Sequence, residues 1–300
     1  MRFDISVKEF LEQSKNGSLH YEEFISSYMK ALGDANKKFR FMRHISGQTP
    51  KTKNPFLFGL PFTVKDNICV KDMVSSAGSK ILDGYEPPFD ATAVLRTKEA
   101  GAFIAGKTNQ DEFGFGTFST NSAYGIPKNP QDHERSCGGS SGGAAAAIAS
   151  LPHPQIALAE STGGSISCPA AFCNVVGITP TYGLVSRYGL IDYANSLDKI
   201  GVISKTVNDT ALGLSIIAGH DNRDSTSLQT PRKDYTHYNT KLKGVNIAIP
   251  KEYFENIDKQ VEKDVWAAVK RLESEGATYQ EVSLPNTKYS LAAYYIIATS

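Results

Sequence analysis

The sequence predicts an α/β fold in which helices cover both faces of a central sheet. Two observations support this prediction. Short apolar segments of strand length alternate with segments of helical periodicity, and several of the apolar segments are suited to buried strands. Hydrophobic residues make up 40% and charged residues 21% of the 300 residues, which is ordinary for a globular chain of one large or two small domains.

Two short helices are predicted over residues 6–34. Ser6 is expected to cap the first helix and Ser18 the second, because a serine hydroxyl accepts hydrogen bonds from the free N–H groups of a first turn. Asn16-Gly17 separates the two helices. A polar loop is predicted over 48–55.

The first predicted strand, over 58–64, ends at a lysine. Its last residues are apolar, so Lys65 is expected at the end of a buried strand. A helix over 91–100, ended by Gly101, is followed by an apolar strand over 102–105.

Two glycine-rich segments that contain serine follow. Gly138–Gly143 leads into an alanine-rich helix over 144–149, and a buried strand over 156–159 leads into Thr162–Ser165. Glycine lets backbone N–H groups approach a bound atom, so a serine beside it can combine a nucleophile with an oxyanion site.

The last predicted elements are a strand over 245–250 and an amphipathic helix over 259–276. The apolar face of that helix comprises Val261, Val265, Ala268, Val269 and Leu272. The segment 291–300 is strongly apolar and ends the sequence within an element, so we expect the chain to be incomplete at its C-terminus.

Charge and cysteine content exclude several classes of function. The net charge of +1 provides no general attraction for nucleic acid or anionic membranes. The four cysteines form no C-x-x-C pair, so no metal site is expected. The first residues contain no apolar signal segment, and no apolar run is long enough to span a bilayer, so a cytoplasmic location is expected.

Two common motifs match by letter only. Gly101–Thr108 fits the phosphate-binding P-loop pattern, but a helix precedes it and its middle residues are typical of a strand. Gly138–Gly142 fits the G-x-S-x-G nucleophile elbow, but a polar loop precedes it, and the candidate partners His153 and His220 lie in no motif. A lysine is therefore the better candidate for the base, provided that burial or a nearby cation lowers its pKa.

Five motifs occur in a fixed order along the chain. They are V-K-D-N at 64–67, G-K-T-N-x-D-E-F at 106–113, G-G-S-S-G-G at 138–143, T-G-G-S-I at 162–166 and P-A-A-F-C at 169–173. In order and in spacing these motifs resemble the amidase signature family, and the resemblance runs from the first helix to residue 300. It implies the amidase-signature fold, with a mixed, twisted central sheet, of which this chain would be the N-terminal two-thirds.

The resemblance also implies a single amidase domain over 1–300. Its parts would be an N-terminal helical segment at 1–55, an amidase signature core at 56–230 and the start of a truncated C-terminal part at 231–300.

The family resemblance implies a catalytic triad of Lys65, Ser140 and Ser165. Lys65 would accept a proton relayed through Ser140, which follows a cis peptide bond, while Ser165 attacks a carboxamide and forms an acyl-enzyme. The oxyanion would be stabilised by the backbone N–H groups of Thr162, Gly163, Gly164 and Ser165. Ser141 is a candidate substrate contact, and the remaining contacts would lie beyond residue 300.

Within the family, four stretches are most similar to the glutaminase components of the glutamyl- and aspartyl-tRNA amidotransferases. They are 110–116, 180–190, 195–201 and 218–227. The similarity implies release of ammonia from glutamine for Glu-tRNA(Gln), Asp-tRNA(Asn) or both. The implied partners are the tRNA-binding subunit of the amidotransferase, where the complex uses ATP and Mg, and its small third subunit. This chain would need no cofactor of its own, would meet tRNA only through its partner and would not contact a membrane.

Charged residues of the family pattern are absent at several positions. Ser161 and Ser167 stand where the pattern S-D-T-G-G-S-I-R has aspartate and arginine, and Thr120 stands where S-T-E-N-S has glutamate. We therefore expect a neutral support around Ser165. Two other functions stay open: a stand-alone amidase for small amides, and a truncated, non-catalytic subunit that only binds a partner.

Overall fold

Helices and strands alternate along the residues that the computed structural model describes, 3–48 and 56–300. They form two units, Met1–Thr236 and His237–Ser300. The α-helices are α1 (Val7–Lys15), α2 (Tyr21–Phe39), α3 (Thr92–Glu99), α4 (Gly142–Ser150), α5 (Ser167–Phe172), α6 (Val207–Ile217), α7 (Lys259–Ser274) and α8 (Thr287–Ala298). The strands are β1 (Met42–Ile45), β2 (Pro61–Lys65), β3 (Phe103–Thr108), β4 (Ile156–Ser161), β5 (Val176–Ile178), β6 (Lys199–Ser204), β7 (Asn246–Pro250) and β8 (Thr278–Val282). All but the first residue of the predicted loop over 48–55 lies outside the described residues.

The two N-terminal helices confirm one predicted cap and correct the other. The Ser6 side chain accepts a hydrogen bond from the Glu9 N–H, and the Glu9 carboxylate accepts one from the Ser6 N–H, which forms a capping box at α1. The prediction for Ser18 is wrong, because α2 begins only after His20 and has no side-chain cap. The Ser18 N–H donates instead to the Gln13 carbonyl, within the turn that ends α1.

The first unit is built on a six-stranded mixed sheet with the order β1-β3-β2-β4-β6-β5. Strands β2, β3 and β4 are parallel, whereas β1, β6 and β5 each run antiparallel to a neighbour. Every residue of β2, β3 and β4 is buried. Because successive side chains of a strand point to opposite faces, both faces of the sheet must be covered, which confirms the predicted α/β fold.

Strand β3 contains the last six residues of the segment Gly101–Thr108, which matches the P-loop pattern. Gly106, Lys107 and Thr108 are paired within the sheet and cannot wrap around a phosphate, so the rejection of that motif is confirmed. Lys107 is fully buried and donates hydrogen bonds to the Ser75 hydroxyl and the Ile68 carbonyl. Burial lowers the pKa of Lys107 to about 8.

The carboxyl ends of the parallel strands bring distant parts of the sequence together. Strands β2, β3 and β4 end at Lys65, Thr108 and Ser161, and parallel strands end at the same edge of their sheet. The loops that follow these strands therefore meet at one edge. This is where the residues of the candidate site lie.

The second unit is a parallel pair of strands with two helices. Strands β7 and β8 are paired and are joined by α7. Strand β7 and helix α7 correspond to the predicted strand over 245–250 and the predicted helix over 259–276. On the predicted apolar face of α7, Val269 is buried, whereas Val261 and Val265 are exposed. Helix α8 exposes Leu291 and Ile296. Within residues 3–48 and 56–300, no helix combines the length and the hydropathy that crossing a membrane requires.

Gly143, in the first turn of α4, allows that helix to pack closely on backbone. A Cβ atom at this position would lie 2.3 Å from the Asn109 carbonyl oxygen and 2.5 Å from that of Phe41. We expect Gly143→Ala to lower the free energy of unfolding by about 1–3 kcal/mol, because backbone on both sides must move. The matched control is Gly33→Ala in α2, where nothing lies within 4 Å of the added Cβ. The free energy of unfolding of that variant, measured by chemical denaturation, should be about 0.5–1 kcal/mol higher than that of wild type. Equal stabilities of the two variants would contradict the packing argument.

Candidate active site

Lys65 and Ser140 form the centre of the candidate site. The Lys65 Nζ atom lies 2.7 Å from the Ser140 Oγ atom, and neither residue is exposed to solvent. Lys65 ends β2, and Ser140 lies in the loop before α4, after a Gly139–Ser140 peptide bond that is cis, as the resemblance implies. The structure therefore brings Lys65 and Ser140 into contact, and their catalytic roles stay a prediction.

Glu160 is the second partner of Lys65, and sequence reasoning missed it. Its Oε2 atom lies 2.8 Å from Lys65 Nζ and accepts a hydrogen bond of 3.2 Å from the Asn67 side-chain amide. The Glu160 carbonyl oxygen lies 3.1 Å from the same Nζ atom. Both side chains are essentially inaccessible to solvent. A buried lysine and a buried carboxyl therefore face each other directly at the site.

A second carboxyl lies behind Glu160. The Thr162 hydroxyl lies 2.9 Å from Glu160 Oε1 and 2.7 Å from Asp198 Oδ1. The other Asp198 oxygen accepts hydrogen bonds from the N–H groups of Tyr193 and Ala194. Burial, and next the nearby Glu160 carboxyl, raise the pKa of Asp198. Two buried carboxyl groups, those of Glu160 and Asp198, thus meet at the Thr162 hydroxyl, and the neutral support expected around Ser165 stays a prediction.

Asp111 organises the loops around Ser140. Its carboxylate accepts hydrogen bonds from the N–H groups of Ser119 and Asn121, each of 2.9 Å. A Cβ atom on Gly139 would lie 2.3 Å from Asp111 Oδ2, so glycine is needed beside Ser140. Burial raises the pKa of Asp111, while the backbone hydrogen bonds oppose that shift.

Ser165 lies in the segment that follows β4 and is buried. It is 6% exposed, and its carbonyl oxygen accepts a hydrogen bond of 3.2 Å from the Ser141 N–H. Among the residues that the structure describes, no hydrogen bond joins the Ser140 and Ser165 hydroxyls. The structure therefore brings Lys65 and Ser140 into contact and connects Ser165 to this pair through backbone.

The segment before Ser165 offers unused hydrogen-bond donors. Gly163 is exposed and Gly164 half-buried. In the described part of the chain, the N–H groups of Gly163, Gly164 and Ser165 donate to no protein acceptor. Such a row of free N–H groups beside a serine hydroxyl can bind an oxyanion.

The remaining predicted residues have the following surroundings. The Ser141 hydroxyl is buried and donates to the Glu160 carbonyl oxygen over 2.9 Å, and its role in substrate binding stays a prediction. Ser167 is exposed, and its hydroxyl donates to the Gly164 carbonyl oxygen. Thr120 is exposed. No cluster of His, Cys, Asp or Glu in residues 3–48 and 56–300 has the arrangement of a metal site.

The two histidines considered as partners for a nucleophile elbow make contacts with other residues. His153 lies 3.0 Å from the Ser27 hydroxyl and packs on Phe24 and Tyr28, and His220 pairs with Asn222. No strand immediately precedes the Ser140 loop among the described residues, so the rejection of the elbow is confirmed.

Comparison with known proteins finds one family. The family model described as Amidase matches residues 27–300. The A subunit of the glutamyl-tRNA(Gln) amidotransferase of Halothermothrix orenii is 44% identical over 303 residues, which cover 99% of this chain and 63% of that protein. Its counterpart in Exiguobacterium sibiricum is 48% identical over 299 residues, 99% of this chain and 61% of that protein. The A subunit of Methanococcoides burtonii is 52% identical over 245 residues, which cover 81% of this chain and 51% of that protein.

Solved structures give the same result. The crystal structure of the glutamyl-tRNA(Gln) amidotransferase A subunit from Thermotoga maritima superposes with a TM-score of 0.92 and 38% identity, over 100% of this chain and 66% of that one. The native peptide amidase of Stenotrophomonas maltophilia superposes with a TM-score of 0.86 and 30% identity, over 96% of this chain and 64% of that one. The chain spans about half to two-thirds of the length of the relatives that it matches.

Proposed function

The chain belongs to the amidase family, and from this premise we propose that it is the glutamine-hydrolysing part of a glutamyl-tRNA(Gln) amidotransferase. The observation that carries the proposal is the buried contact of 2.7 Å between Lys65 Nζ and Ser140 Oγ beside the free N–H groups at 163–165. Relatives that carry the name of the amidotransferase are 43–52% identical to the chain. Both units would belong to one amidase domain.

In the proposed mechanism, Ser165 is the nucleophile and Lys65 the base. The Ser165 oxygen attacks the side-chain carboxamide of glutamine while its proton passes to Ser140, and the Ser140 proton passes to Lys65. Lys65 then returns a proton through Ser140 to the departing ammonia. The resulting acyl-enzyme is hydrolysed by water activated along the same path.

Charge that develops on the carboxamide oxygen would be stabilised by backbone N–H groups. The candidates are the N–H groups of Thr162, Gly163, Gly164 and Ser165. Removal of one such donor typically lowers a rate by about 10²–10³-fold. Ser141 lies directly behind this segment and would shape the substrate pocket through the Ser165 carbonyl that it binds.

The ammonia would be used on partner subunits. We propose a tRNA-binding partner, where ATP and Mg activate the mischarged tRNA, and a small third component of the complex. Glu-tRNA(Gln) is the acceptor that the relatives' names indicate, and Asp-tRNA(Asn) is the second acceptor to test. The net charge of +1 suits a chain that does not itself hold the tRNA.

The test is ammonia release from glutamine by the chain alone and with the tRNA-binding partner and Glu-tRNA(Gln). We expect hydrolysis that rises when the partner and the charged tRNA are added, and little turnover of other amides. Fast turnover of small amides or peptide amides that ignores the partner would favour the stand-alone amidase. Well-folded protein that neither hydrolyses glutamine nor reacts with a serine-directed phosphonate would favour the non-catalytic reading.

A further inference from the structure

The two hydrogen bonds between the Thr162 hydroxyl and its neighbouring carboxyl groups need one more proton than the hydroxyl itself carries. The Thr162 hydroxyl lies within hydrogen-bond distance of both Glu160 Oε1 and Asp198 Oδ1. A hydroxyl has a single proton to donate, so one of these contacts needs a proton from the carboxyl itself. All three groups are buried, where an unsatisfied contact between two oxygens is costly.

Glu160 is the better holder of this proton. Burial raises the pKa of Asp198, but Asp198 Oδ2 accepts two backbone hydrogen bonds of 2.7 and 2.9 Å, which oppose that shift and favour the carboxylate. If Glu160 is protonated on Oε1, it donates to Thr162, and Thr162 donates to Asp198. Glu160 Oε2 stays free to accept from Lys65 and Asn67.

Lys65 then has a consistent set of partners as a neutral amine. In that state its two N–H bonds would point to Glu160 Oε2 and to the Glu160 carbonyl oxygen, and its lone pair would accept a hydrogen bond from the Ser140 hydroxyl. The proton count equals that of an ammonium facing a carboxylate, but two fewer charges are buried. The other carboxylate near Lys65, that of Asp111, is bound by backbone N–H groups.

We propose that Glu160 is a positioning residue that stores a proton on Oε1 and thereby holds Lys65 as an amine directed at Ser140. The inference rests on the proposed function, because it explains how a buried lysine can act as the base. It concerns a feature of this chain, since the S-D-T-G-G-S-I-R pattern has serine where Glu160 stands.

Two substitutions of Glu160 separate this role from that of a charged partner. Glutamine reproduces a protonated Glu160, because its carbonyl accepts from Lys65 and its NH₂ donates to Thr162. We expect E160Q to keep kcat for glutamine hydrolysis within about threefold of wild type. E160M removes both functions and should lower kcat about 100-fold, with KM within about twofold, because Glu160 is fully buried behind Lys65. A similar large loss in E160Q and E160M would overturn the proposal, as would full activity of E160M.

A spectroscopic measurement tests the proton without relying on turnover. Infrared difference spectra between wild type and E160Q at neutral pH should contain the carbonyl stretch of a protonated carboxylic acid. Absence of that band would refute the stored proton even if E160M does not fold. A wild-type protein that shows the band but hydrolyses no glutamine would refute the proposed function and leave the proton assignment standing.

Thr162→Val removes the hydroxyl that accepts the Glu160 proton while keeping the shape and the backbone N–H. We expect this variant to shift or abolish the infrared band and to lower kcat about tenfold. The matched control is Thr63→Val in β2, a buried threonine whose hydroxyl has no partner within the described residues. Equal spectra and rates for the two variants would argue against the chain of hydrogen bonds through Thr162.

Discussion

Ser165→Ala is expected to lower the rate of glutamine hydrolysis at least about 100-fold, because it removes the oxygen on which the proposed mechanism forms the acyl-enzyme. Ser165 is 6% exposed and its side chain supports no hydrogen bond among the described residues, so the fold should be unaffected. The measurements are steady-state ammonia release and covalent labelling by a serine-directed phosphonate, located by peptide mass spectrometry. Labelling should disappear together with turnover.

The matched control for this variant is Ser150→Ala, at the end of α4. Its hydroxyl donates only to the Ala147 carbonyl oxygen of its own helix, over 3.2 Å, so activity and labelling should equal those of wild type. Glutaminase activity that survives in Ser165→Ala would contradict the assignment of the nucleophile. It would direct attention to Ser140 as the attacking group.

Lys65→Met is expected to abolish glutamine hydrolysis and to destabilise the fold. The variant loses the proposed base, and a general base typically contributes about 10²–10⁴-fold in rate. It also removes three buried hydrogen bonds, to Ser140 Oγ, Glu160 Oε2 and the Glu160 carbonyl. At about 1 kcal/mol each, these should lower the free energy of unfolding by roughly 3 kcal/mol in chemical denaturation.

Lys107→Met separates the two effects of the Lys65 substitution. Lys107 is equally buried, lies on the neighbouring strand β3 and also donates to a serine hydroxyl and backbone carbonyls. We expect Lys107→Met to lose a comparable amount of stability. Under conditions in which the variant is folded, its rate of glutamine hydrolysis should be within about threefold of wild type. If both variants lose activity equally, the effect of Lys65→Met reflects weakened packing and not the loss of a base.

The residues of the site that the sequence could predict are those that lie at or just after the end of a buried strand. The apolar residues of 58–64 predicted a buried strand ending at Lys65, and 156–159 predicted a strand leading to Ser165; both are present. Periodicity is a local signal, so it locates an element but not its neighbours in the sheet. The Ser18 cap failed because the same hydroxyl and N–H were used in the preceding turn.

Glu160 was missed although the sequence contains its signal. It is the single charged residue in the segment 156–161, all of which is buried in β4. A buried ionisable side chain requires a polar partner, and the sequence predicted Lys65 at the end of another buried strand. Pairing the two needs the knowledge that β2 and β4 are parallel neighbours, which only the assembled sheet provides. Asp198 was missed for the same reason, because it lies before a strand on the far side of β4.

The parallel arrangement of β2, β3 and β4 bears on how the protein is made by the ribosome. Lys65 ends β2, Ser140 lies in the segment between β3 and β4, and Ser165 follows β4, so the three proposed catalytic residues come from three separate parts of the chain. A growing polypeptide that has not yet emerged past residue 161 can form neither the β2–β4 pairing nor the pocket that dehydrates Lys65. Under the proposed mechanism, reactivity toward amides would therefore require β4 to be in place beside β2.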